Sequence, residues 1–290
     1  MRRRVLFLFA VGMVVAVLGA CNSSSGQSSS VVPPVTPTGS PGAIFVANTG
    51  DSTVTTYASD GSAMATIKSG ISGPIGVAID PTANRLYVAN SGNSTVTTYT
   101  TQGTQINMTI TRAISEPYAI AVDSSGKIYV ANFKTNSVTA YLSNGSQTSP
   151  TIKGLDQPRG LAVDSDGKIY VVNAGNSKVT TYTQDGKPST PTITAGLSAP
   201  RMIAVSRTGT IYVTNAGNSS VTSYRPDGSQ MMATTITAGL NNPYGIALGA
   251  TGRIFVGNYS GQNLLTFTTK GRQTKPRIGG LNNPTGVAAY

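Results

Sequence analysis

Few side chains in this 290-residue chain could do chemistry, and those that could recur at one interval. Asp80, Asp123 and Asp164 stand about forty-two residues apart, each after an apolar run. Carboxylates brought together on a common axis would suit a hard cation such as calcium, which takes oxygen ligands. Each aspartate also begins a turn, as in Asp123-Ser124-Ser125-Gly126, where its side chain can cap the turn itself. The matching positions elsewhere are Ser206, Gly249 and Tyr290. General acid–base or nucleophilic catalysis finds little else to use, because the chain has no His, one Glu (Glu116) and one Cys (Cys21). No catalytic residue and no cofactor are expected, with calcium on the three aspartates as the alternative.

A second set varies where the rest of the repeat is uniform. The residue after a recurring proline reads Ile75, Tyr118, Arg159, Arg201, Tyr244 and Thr285. Guanidinium forks beside aromatic rings suit an anionic or sugar-like ligand. Free variation of exposed loop residues is the competing explanation. Tyr118, Arg159, Arg201 and Tyr244 are the candidate ligand-binding residues.

These residues are positioned by a repeat. Its copies open at Ala43, Arg85, Lys127, Lys168, Thr210 and Arg253, a period within the range of propeller blades. In the second copy, Arg85-Leu86-Tyr87-Val88-Ala89-Asn90 and Thr95-Val96-Thr97-Thr98-Tyr99 alternate like strands around a tight turn. A third run, Asn107-Met108-Thr109-Ile110, and a fourth after Pro117, Ala119-Ile120-Ala121-Val122-Asp123, complete four antiparallel strands. Small residues alternate in the last strand (Gly76 and Ala78, Gly160 and Ala162, Gly245 and Ala247), which suits the crowded position nearest an axis. The first copy lacks this strand and the chain's last residues, Gly286 to Tyr290, supply one, so the two ends complete a single blade. The predicted fold is all-β: a six-bladed propeller of four-stranded antiparallel blades, closed by the C-terminal strand joining the N-terminal blade. Closure leaves no open sheet edge. Two aromatic ladders, Tyr57, Tyr99, Tyr141, Tyr182, Tyr224 and Phe267, and Phe45, Tyr87, Tyr129, Tyr170, Tyr212 and Phe255, read as core between blades.

Pro158-x-Gly160, Asp164, Gly167, Tyr170-Val171, Asn176 and Val179 resemble the repeat of the NHL family of β-propellers, and the likeness extends over all six copies. The resemblance implies the propeller but leaves function open, since the family includes enzymes, sensors and RNA or protein binders. Lactonase- or lyase-like chemistry with an axial metal on Asp80, Asp123 and Asp164 is the alternative it suggests, although such relatives generally use His or Glu ligands. Where the family usually has Asp after the second strand, this chain has Asn48, Asn90, Asn132, Asn173, Asn215 and Asn258; where it usually has Arg, this chain has Thr53, Thr95, Ser137, Lys178, Ser220 and Asn263. A neutral hydrogen-bonded pair is expected in place of an ionic one, sparing the desolvation of buried charges.

Residues 1–20 have the layout of an export signal, with Arg2 to Arg4 before the apolar run Val5 to Leu18. Leu18-Gly19-Ala20-Cys21 resembles the lipobox of bacterial lipoproteins, which implies cleavage before Cys21 and attachment of fatty acyl chains such as palmitate there. Residues 21–42 are Ser-, Pro- and Gly-rich and lack a core pattern, so they read as a disordered tether. Residues 43–290 form the propeller. Lys and Arg outnumber Asp and Glu by 21 to 10 over the chain, which favours anionic partners. These features together predict a lipid-anchored cell-envelope protein outside the cytoplasm, on the outer membrane if the cell has two. Its partners would be the membrane, through Cys21, and an envelope protein or glycan. Nucleic acid is not expected, and the propeller is expected to be monomeric.

Overall fold

The computed structural model describes residues 42–80 and 82–290. The signal, Cys21 and the tether up to residue 41 lie outside them.

Twenty-three strands fall into six sheets arranged in chain order. Blade 1 holds β1 (Ile44–Asn48), β2 (Thr53–Tyr57) and β3 (Ala63–Ile67). Blade 2 holds β4 (Pro74–Asp80), β5 (Arg85–Asn90), β6 (Thr95–Thr100) and β7 (Gln105–Ile110); blade 3 holds β8 (Pro117–Val122), β9 (Ile128–Asn132), β10 (Ser137–Tyr141) and β11 (Gln147–Ile152). Blade 4 follows with β12 (Pro158–Val163), β13 (Ile169–Asn173), β14 (Lys178–Tyr182) and β15 (Pro188–Ile193), and blade 5 with β16 (Pro200–Val205), β17 (Ile211–Asn215) and β18 (Ser220–Tyr224). Blade 6 contains β19 (Pro243–Leu248), β20 (Ile254–Asn258), β21 (Asn263–Phe267) and β22 (Gln273–Ile278). The last strand, β23 (Pro284–Ala289), pairs antiparallel with β1 and completes blade 1. Ring closure is therefore the one predicted, with the first and last strands hydrogen-bonded through Ile44↔Ala289, Phe45↔Ala288 and Val46↔Val287.

The innermost strands are β4, β8, β12, β16, β19 and β23, and neighbouring ones touch backbone to backbone. A Cβ on Gly76 would lie 2.9 Å from the Tyr118 carbonyl oxygen, and one on Gly160 would lie 2.6 Å from that of Arg201. Real Cβ atoms do not approach so closely, so glycine at these positions permits the convergence. The axis is plugged rather than hollow: a space of about 40 Å³ remains among apolar side chains such as Ile120, Leu161 and Ile246. The middle two strands of each blade carry most of the buried bulk, with Tyr87, Tyr129, Tyr141 and Phe267 among the largest fully buried side chains.

Outer strands differ in length, and the difference decides whether they form. Between the residues paired to the ends of its neighbour, blade 3 has Gln147 to Ile152, and blades 2, 4 and 6 match it in length. In blade 5 the same pairings, Tyr224↔Gln230 and Val221↔Ile236, are isolated bridges one residue further apart. The surplus residue is taken up by a short 3₁₀ helix, Met232–Thr234, so this sheet has three strands instead of the expected four.

Candidate functional site

Each innermost strand begins with the proline and ends beside the aspartate position, so the two sets of candidate residues lie at opposite ends of the axis.

On the proline face, four of the six variable residues come together. Tyr118 stacks on Phe133 with ring centroids 4.5 Å apart. The Arg159 guanidinium sits over both rings, its Cζ 5.0 Å from the centre of Tyr118 and 4.8 Å from that of Phe133. Its Nη1 donates to the Tyr244 hydroxyl at 3.4 Å, joining blade 4 to blade 6 across the top of the axis. The Arg201 guanidinium lies over the other aromatic of the ring, 5.2 Å from the centre of Tyr244, which in turn leans on Tyr259 at 5.9 Å. Such cation–ring contacts hold guanidinium groups in place without consuming their charge.

The arginines are incompletely satisfied. Nε of Arg159 and Nε of Arg201 are buried and, among the described residues, have no hydrogen-bond partner. Among the described residues, the carboxylates within 4.0 Å of a cation are Glu116, on Lys134, and Asp185, on Lys187; neither serves Arg159 or Arg201. Tyr244 is buried, and burial pushes its hydroxyl pKa up even though Arg159 and Arg201 pull it down. It therefore stays protonated at neutral pH. The remaining ring positions are not part of the patch: Ile75 is buried, and Thr285 is used by the fold, bonding Thr49 and the Pro74 carbonyl.

Phe133 and Tyr259 were missed in the sequence. They occupy one repeat position, held elsewhere by Thr49, Ser91, Ala174 and Ala216, so the same comparison of copies that found the arginines could have found them. The small residues complete the pattern. Ala174 and Ala216 stand in the blades that carry Arg159 and Arg201, and the aromatics stand in the blades that carry Tyr118 and Tyr244.

At the opposite end, the structure does not bring Asp80, Asp123 and Asp164 into one cluster. Among the described residues, no three His, Cys, Asp or Glu side chains are grouped to hold a metal ion. Each carboxylate serves its own turn. Asp80 Oδ1 accepts from the amides of Thr82 and Ala83 at 2.9 and 3.0 Å, Asp123 Oδ1 from those of Ser125 and Lys127, and Asp164 Oδ1 from those of Asp166 and Lys168. Burial raises the Asp123 pKa, but hydrogen bonds from Ser125, the Lys127 amide and Tyr129 outweigh it and leave the group below its usual range.

Comparisons with known proteins agree with this architecture. Residues 155–182, in blade 4, match the NHL repeat. A search of the curated proteins finds no match to the sequence. Among solved structures, a chain of a nidogen–laminin complex superposes with a TM-score of 0.72 at 16% identity, covering 86% of this chain and 98% of that one. A protein of unknown function from Bacteroides caccae gives 0.70 at 12% identity, covering 86% and 99%. A streptogramin B lyase gives 0.61 at 16% identity, covering 84% and 76%. At these identities the likeness is one of fold, and the fold occurs both in a lyase and in a chain of a nidogen–laminin complex. The chain is thus a six-bladed β-propeller in which residues 155–182 match the NHL repeat.

Proposed function

We propose that this protein is a lipid-anchored, extracytoplasmic binding propeller whose proline face takes an anionic ligand, an acidic glycan being the class that fits best. The observation that carries this reading is the pair of guanidiniums, Arg159 and Arg201, seated on aromatic rings with, among the described residues, their Nε–H donors unpartnered and no carboxylate within 4.0 Å. Planar forks recognise carboxylate or sulfate in two-point fashion. The half-buried rings of Tyr118, Phe133 and Tyr259 offer apolar surface for the C–H groups of a sugar. The plugged axis makes this a surface platform, which suits one or two residues of a long chain better than a small molecule enclosed on all sides.

The anchor rests on the sequence Leu18-Gly19-Ala20-Cys21 and the tether-like residues after it. Two or more acyl chains on Cys21 would hold the propeller stably at a membrane surface. Labelling cells with an alkynyl palmitate analogue should mark the protein and fail to mark Cys21→Ser; equal labelling of both would remove the anchor from this account.

The binding claim is tested by retention on immobilised sulfated and uronic-acid oligosaccharides beside neutral ones. Wild type should be retained on the acidic sugars and released by salt, and the Arg159→Ala/Arg201→Ala variant should lose at least about tenfold in affinity, as for lost charge-assisted hydrogen bonds. Equal retention of the double variant, or equal retention on neutral sugars, would refute it.

A further inference from the structure

The aspartate face carries a second site, revealed by what one blade lacks. In blades 3 and 4 an aspartate and a tyrosine are bonded: the Tyr129 hydroxyl donates to Asp123 Oδ2 at 3.1 Å, and that of Tyr170 to Asp164 Oδ2 at 2.9 Å. Blades 1 and 6 lack both partners, with Tyr290 and Gly249 at the aspartate position and Phe45 and Phe255 at the tyrosine position. Blade 2 has both residues, Asp80 and Tyr87, but they are not bonded, and among the described residues the buried Tyr87 hydroxyl finds no partner. Blade 5 keeps only the tyrosine. Ser206 Oγ accepts the turn amide of Thr210 at 3.0 Å and so does the work of Oδ1. Nothing takes the place of Oδ2. Tyr212 is 4% exposed, and among the described residues its hydroxyl makes no hydrogen bond.

A cavity of about 620 Å³ opens at this point. Ser206, Gly249 and Tyr290, the three positions without an aspartate, all line it, and so does Tyr212. Its inner wall is apolar, formed by residues such as Ile79, Val205 and Leu248 at the ends of their strands. Arg207 stands exposed at its rim, with no carboxylate of the described residues within 4.0 Å. A mostly apolar cavity of this size with a few convergent polar groups has the character of a small-molecule site.

We infer that this cavity binds a small organic carboxylate with an apolar body, whose carboxylate takes the place of the aspartate that blade 5 lacks. One oxygen accepts from the Tyr212 hydroxyl, as Asp164 Oδ2 does from Tyr170. Arg207 meets the charge, and the body lies against the apolar strand ends. The site is separate from the Arg159–Arg201 patch, so the two stand or fall independently.

Calorimetric titration of the full chain with 3-phenylpropionate, octanoate and benzoate, each beside the corresponding primary alcohol, tests the inference. At least one acid should bind with a dissociation constant below about 1 mM, and about tenfold or more tighter than its alcohol, as expected of a charge-assisted contact. Tyr212→Phe, which places in blade 5 the residue type of blades 1 and 6, should weaken it by about tenfold. Ser206→Asp should abolish it by restoring the internal Asp–Tyr pair, while Arg159→Ala/Arg201→Ala should leave it unchanged. Binding of acid and alcohol alike, undiminished binding to Ser206→Asp with its fold verified by circular dichroism, or no binding by any of the three acids would each overturn the inference.

Discussion

The asparagine that ends the second strand of each blade shows how one residue can fasten three segments. Asn132, fully buried, donates to the Val130 carbonyl at 3.3 Å and to Thr139 Oγ1 at 2.9 Å, and accepts the Ser115 amide at 2.9 Å. Equivalent acceptor bonds join Asn90 to Ser72, Asn173 to Asp156, Asn215 to Ser198 and Asn258 to Asn241. Asn48 is the exception, because at the seam its Oδ1 is buried without a partner. Asn132→Ala should therefore destabilise the fold by about 1–3 kcal/mol, leaving a buried amide unsatisfied, and Asn48→Ala by less. Urea unfolding of the two variants measures the difference, and equal losses would contradict the assignment. The neutral pair was legible in the sequence, but its register was only partly so. The expected partner five residues on is used by Asn48, Asn90, Asn215 and Asn258, whereas the threonine seven residues on serves every blade but the sixth, which has Leu265 there. Sequence alone does not say which of two hydroxyls on one strand face turns toward an amide across the hairpin.

Strand-level structure was the most legible, because alternation and turn residues repeat in register through all six copies. Blade 5 departs for a reason also visible in the chain, where its copy is one residue longer before the next begins. The surplus falls between Gln230 and Ile236, and the ladder gives way to two bridges and a 3₁₀ turn. Amides 231–235 should exchange with solvent at least about tenfold faster than those of Thr148, Ser149 and Thr151 in the complete outer strand of blade 3, since only Met231 among them donates across the sheet, to Ser223, while Thr234 and Thr235 close local turns. Deleting Ala233 should bring them to the same protection by restoring the common length; unchanged fast exchange would show that length is not the cause. The candidate site was legible in part on the same grounds. Comparison of copies picked out Arg159, Arg201, Tyr118 and Tyr244, while the pairing of Tyr118 with Phe133 depends on how adjacent strands present neighbouring side chains, which the spacing of residues does not display.

The whole ring is held by tyrosines as well as by apolar contact, and this gives the molecule a defined pH window. Hydroxyls of Tyr99, Tyr141 and Tyr224 donate to the carbonyls of Ser69, Arg112 and Ala195, and burial raises the pKa of each. Tyr129 and Tyr170 are raised further, by burial and then by their aspartate partners. Groups raised in the folded state stabilise it fully below the ordinary tyrosine value of 10.0, and that stability is lost as pH climbs above it. Asp123, lowered in the fold, acts at the other end: its contribution is present above the ordinary 3.8 and is lost as pH falls below it. Thermal midpoints should therefore fall steeply above about pH 10, with Tyr99, Tyr129, Tyr141, Tyr170 and Tyr224 ionising together with unfolding; ionisation of these five near 10 in an intact fold would contradict the packing described. The proposed function rests on a smaller region of the ring, where among the described residues two arginines on the proline face keep unpartnered donors. Nitrogen-detected NMR of the arginine Nε–H groups during titration with a sulfated uronic-acid oligosaccharide reads those donors directly. The Arg159 and Arg201 resonances should shift together and saturate, while those of Arg207 and Arg253 stay in place; saturable binding that leaves the Arg159 and Arg201 resonances unmoved would contradict the proposed binding site.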